Sequence, residues 1–105
     1  MTEVLSFDAS YIAPRFDLAL VLAVSKRPSL ALAGYQDAIN LAKNKTSILV
    51  RPAILHVAAV DLERELNARS YLRETPELEQ VLNLIRTECE TARAAAQPLL
   101  AQLNR

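Results

Sequence analysis

The apolar positions Leu78, Leu82, Ile85, Cys89, Ala92, Ala96, Leu99 and Leu103 follow one another at alternating spacings of four and three. That is the a/d rhythm of an α-helix whose apolar seam packs along another helix. Glu79, Asn83, Arg86, Glu90, Arg93 and Gln97 fall off the seam, so the helix has one apolar and one polar side. Thr75-Pro76-Glu77 supplies its start: a capping residue, a proline suited to the first turn, then acids near the positive end of the helix dipole. Pro98 interrupts the pattern. An internal proline removes one backbone hydrogen bond and clashes with the preceding turn, at a cost of about 3 kcal/mol. The seam resumes at Leu99 and Leu103, which predicts a last helix kinked or broken near Pro98 with its tail still packed. The heptads span fewer than four repeats, and Val81, Ala95 and Leu100 widen the apolar face. Both features fit a bundle helix better than a free-standing coiled coil.

Three further helices are expected upstream. Pro14 suits a first turn, with Asp17 near the positive dipole end. From Leu18 to Val24 every side chain is apolar. A helix apolar on all sides is central in a bundle or covered by a partner; a buried strand is the competing reading of so short a run. The second helix runs from Pro28 or Ser29 to about Lys43, with Leu32, Tyr35, Ile39 and Ala42 on one face. The third begins near Pro52, because that proline turns Arg51 away from helical angles. It continues to about Leu72 on a stripe of Leu55, Ala59, Leu62 and Leu66. Residues 1–13 show no sustained period. They read as an N-terminal arm, in which Ser6 or Asp8 caps a short helix holding Tyr11 and Ile12, or which is mobile. Residues 14–105 form the helical domain.

Composition agrees with this pattern. Leucine and alanine, both strong helix formers, fill a third of the 105 residues, and Gly34 is the only glycine. Tight hairpins that need positive φ therefore have almost no supply. The expected fold is all-α, a single four-helix bundle-like domain. Twelve basic and twelve acidic residues balance, so no global field draws the chain to nucleic acid or to an anionic membrane. The longest apolar run has seven residues, far below the roughly 20 that span a bilayer. With no signal-peptide pattern, the expected setting is soluble and cytoplasmic.

Chemistry is sparsely supplied. A single histidine, His56, excludes a His-rich metal site. It lies in a run of apolar residues and reads as a packed histidine. The sharper alternative, a phosphoacceptor, requires His56 to be exposed beside a basic residue and small neighbours. Cys89, the only cysteine, sits on the apolar seam as a small buried hydrophobe, and it has no cysteine to pair with in its own chain. Glu63, Glu74, Glu77, Glu79, Glu88 and Glu90 scatter over outer faces. No glycine-rich phosphate loop, Cys-x-x-Cys or nucleophile elbow occurs. These observations point to no catalytic residue, metal or cofactor, although a site assembled from distant residues stays open. Lys26-Arg27-Pro28-Ser29 matches a basophilic kinase site, a pattern that is common by chance.

Two classes of binding remain. Leu18–Val24 and Ala53–Val60 carry more apolar side chains than one buried face requires. Such a surplus marks a subunit or partner interface, unless the two helices are central and cover each other. The expected contact residues are Leu20, Val21, Val24, Ile54, Val57 and Val60, in a non-catalytic adaptor, regulator or assembly factor that pairs with itself as a homodimer or with another protein. The alternative is a nucleic-acid-binding regulator. It would use Lys26, Arg27, Lys43, Lys45 and Arg51 in the connections flanking the second helix, gathered near one end to grip phosphates.

Overall fold

A computed structural model describes residues 9–103, and side chains from Ile12 onward. Among these, four α-helices follow one another: α1 (Ala9–Val24), α2 (Pro28–Lys45), α3 (Arg51–Ala68) and α4 (Pro76–Leu103). A 3-10 turn at Ser70–Glu74 joins the last two, and no strand is present among the described residues. The fold is all-α, and the apolar run Leu18–Val24 is helical. The helices form two antiparallel hairpins, α1 on α2 and α3 on α4. The hairpins meet chiefly where α1 crosses α3, with α2 touching α4. The molecule measures 48 × 33 × 16 Å. Its short dimension is about that of two helix layers.

The two hairpins are held by different chemistry. The α1–α2 seam is built from small residues: Ala19 and Ala23 on α1 and Ala31, Ala38 and Ala42 on α2 are all buried. At Gly34 an added Cβ would lie 3.3 Å from the Ala19 Cβ, so the glycine lets the two backbones approach. Phe16 and Tyr35 fill the wider part of this seam, their rings tilted with centroids 6.3 Å apart. The α3–α4 seam uses larger side chains, Leu55, Leu62 and Leu66 against Leu78, Leu82 and Ile85. Each fully buried leucine contributes roughly 1.5–3 kcal/mol relative to exposure. At the far end of this seam the Cys89 thiol donates to the Pro52 carbonyl at 3.4 Å. The small buried hydrophobe expected at position 89 is found.

The connections explain where the helices stop. After α1, Arg27 N–H donates to the Leu22 carbonyl (2.9 Å) and Lys26 N–H to the Ala23 carbonyl (3.1 Å). This is the Schellman pattern, with Lys26 at φ 64° in the left-handed position that usually takes glycine. After α2, the Thr46 hydroxyl donates to the Ala42 carbonyl at 2.5 Å. Arg51 then donates from Nη2 to the Thr46 carbonyl at 2.7 Å, which braces the short connection to α3.

Some helix limits and the packing of the last tail differ from the sequence reading. The first helix begins at Ala9, so Pro14 sits inside it and the helical region extends upstream of residue 14. Ile12 is fully buried, and that core anchor makes Ala9–Ala13 part of the helix. The proposed capping by Ser6 or Asp8 lies outside the described residues. The third helix stops at Ala68, and Leu72 reaches the core from the 3-10 turn. Of the kink or break expected near Pro98, no break occurs in the fourth helix, and its tail is not packed: burial of the seam ends at Ala96, while Leu99 and Leu103 are exposed. The cause is length. With 28 residues against 18 in α3, α4 passes the start of its partner helix. Leu99 lies ten residues, about 15 Å of helix, beyond the Cys89–Pro52 contact.

Candidate interaction surface

The six expected contact residues divide among three places. Ile54 is only 7% exposed and belongs to the core. It stands where α1 crosses α3, so the covering that the sequence assigned to a partner comes from within the chain. Leu20 and Val24 are half-buried on α1, and Leu20 packs against the core. Val21 (58% exposed) and Leu18 (60%) stand on the outer side of α1, one turn apart. Val57 (56%) borders α1, whereas Val60 faces α4. Neither apolar helix is central, and part of the surplus is left in solvent.

The most apolar groove among the described residues, of about 260 Å³, lies between α1 and α3 and is lined almost wholly by apolar atoms. Ala13 and Phe16 form one wall; Val50, Ala53, Ile54, Val57 and Ala58 form the other. Asp17 and Asp61 are its charged residues. Asp61 also pairs with the exposed Arg64 at 3.2 Å. The negative character of this region is felt nearby. Burial first, then the charges of Asp61 and Asp17, hold the Tyr35 phenol well above the usual tyrosine range. Sequence reasoning found Ile54 and Val57 but missed Ala13, Phe16, Val50 and Ala53, which come together only when α1 is laid across the start of α3. It also missed Leu49 in the α2–α3 connection and Leu100 on the α4 tail, both exposed.

The five cations of the nucleic-acid reading are not brought together. Lys26 and Arg27 precede α2, while Lys43, Lys45 and Arg51 stand at its other end, separated by 18 helical residues, about 27 Å. Three of them are also engaged within the chain. Lys26 Nζ lies 5.0 Å from the Tyr71 ring centroid, Lys43 pairs with Glu88 at 3.3 Å, and Arg51 holds Thr46.

His56 is exposed, not packed. It lines a cleft between α3 and α4 with Arg86 and Arg93, but also with Glu63 and Glu90. Arg86 pairs with Glu63 at 2.5 Å and Arg93 with Glu90 at 3.4 Å, so the cleft carries paired charges in place of a cationic pocket for phosphate. Ser29 is exposed in the first turn of α2. No group of three or more His, Cys, Asp or Glu is placed to hold a metal ion among the described residues. No described helix is long and apolar enough to cross a membrane. Comparison with models of known protein families, with curated proteins and with solved structures gave no match.

Proposed function

We propose that this chain is a protein–protein interaction module, a non-catalytic adaptor, regulator or assembly factor of the cytoplasm that binds through the α1–α3 face. The observation that carries the reading is the groove between α1 and α3, apolar along its length and bordered by Val57, with Leu18 and Val21 exposed on the same helix pair. Water gains by release from a concave apolar surface of this kind, and the two aspartates give it a polar edge that orients a guest. The free, buried thiol of Cys89 is consistent with a reducing compartment.

The test is capture from native lysate with the wild-type chain and with Val57→Arg. The substituted side chain is solvent-facing, so stability should change by no more than about 0.5 kcal/mol, while chains that enter through the groove should be lost. If the same proteins are retained at the same level by both baits, the groove is not the contact surface.

A further inference from the structure

The groove leaves its guest unnamed, and the opposite feature of the same molecule supplies one. Beyond Ala96 the α4 tail exposes Leu99, Leu100 and Leu103. They fall at i, i+1 and i+4, so Leu99 and Leu103 stand one turn apart with Leu100 beside them, a short apolar edge of the kind a helix seats in an apolar groove. The chain cannot use this tail on itself. α4 packs on the flank of α3 that carries His56 and Ala59, whereas the groove opens on the flank that carries Val57, toward α1. The helix is continuous to Leu103, so the tail extends past the start of α3 without a turn that would fold it back.

Charge selects the same pairing. The groove presents Asp17 and Asp61. From Ala94 to Arg105 the sequence contains no acid and one arginine, Arg105; Arg93, just before this stretch, is paired with Glu90. We propose that the α4 tail of a second copy of this chain seats its three leucines in the α1–α3 groove, reciprocally, to give a two-fold dimer. Both unpartnered apolar features are then buried by one symmetric operation, and the contact closes instead of propagating. The inference rests on the interaction reading of the groove and names its partner.

The experiment is light scattering across micromolar concentrations on the full chain, on V57R, on L103E and on the double variant V57R/L103E. Both positions are exposed, so circular dichroism should show each variant folded. The wild type should show twice the mass of one chain. Each single change should weaken the dimer at least about tenfold, by placing a cation in the apolar groove or an acid against its aspartates. The double variant should recover most of that loss, because the new cation and the new acid meet across each contact. A wild type that stays monomeric overturns the dimer, as does a double variant no better than the worse single one. A monomeric wild type whose captured proteins disappear with V57R overturns the second copy alone and leaves the interaction reading standing. A monomeric wild type with captured proteins unchanged removes both.

Discussion

At one end of the bundle, the turn between α1 and α2 is fastened to the 3-10 turn before α4. The Tyr71 hydroxyl donates to the Val24 carbonyl at 2.7 Å, its ring receives the Lys26 ammonium, and Arg73 donates to the Leu66 carbonyl at 3.1 Å. Carbonyls that a helix end leaves without a partner are thereby used. At the other end, Leu49 and Val50 in the α2–α3 connection and Leu99, Leu100 and Leu103 on α4 face solvent. Polar groups tie the first end shut, and apolar side chains leave the second unfinished. An end left apolar is one that another chain can complete, so the contrast supports the interaction proposed at the α3 start and the α4 tail.

The seam of α4 gives the most direct way to break this comparison, because one substitution can be made at both ends. Leu78→Ala, at a position 1% exposed beside the closed end, should lower unfolding free energy by about 2–5 kcal/mol in urea denaturation. Leu103→Ala, at a position 68% exposed, should change it by less than about 0.5 kcal/mol at concentrations where the chain is monomeric. Equal losses at the two positions would mean that the tail is packed.

The next effect is set by pH. Tyr35 has a folded pKa above its unfolded value of 10.0. A group raised on folding stabilises the native state fully below the unfolded value, and that contribution drains away as pH climbs above it. The denaturation midpoint should therefore fall as pH rises beyond 10, by up to about 1.4 kcal/mol per unit from this group. Tyr35→Phe should flatten that part of the profile. A midpoint slope unchanged by the substitution would show that Tyr35 is not shielded.

Tyr71→Phe should follow, with a loss of about 1 kcal/mol from the hydrogen bond to Val24, read in the same denaturation. The smallest change belongs to Lys26→Gly. It relieves the left-handed backbone, worth about 1 kcal/mol, and gives up the cation–π contact, worth about 0.5–1 kcal/mol, so the net should lie near zero. Lys26→Ala keeps the strain and loses the contact. It should be the less stable of the two, and the reverse order would show that position 26 carries no left-handed strain.

Periodicity made much of the fold legible. The stripes Leu55–Leu66 and Leu78–Ala96 read directly as buried seams because each apolar residue is bounded by polar ones at helical spacing. Leu18–Val24 gave no such contrast: a run that is apolar throughout has no phase, so the sequence could not say that Ala19 and Ala23 would be covered while Leu18 and Val21 would not. Exposure of Leu99 and Leu103 depends on where α3 begins relative to α4, which is a property of the pair. The groove joins Phe16 to Val57 across 41 positions of sequence. The basic connections misled for the converse reason: neighbours along the chain at either side of α2 stand a helix length apart in space.

The buried thiol of Cys89, hydrogen-bonded to Pro52, has a practical consequence. The thiol lies at the wall of the His56 cleft with little exposure, so its labelling should quicken when α4 lifts from the start of α3, and the rate is a natural clock for opening of that hairpin near the unfinished end. Timed against exchange of the amides in α1 and α2, it would tell whether the two hairpins part together or one before the other.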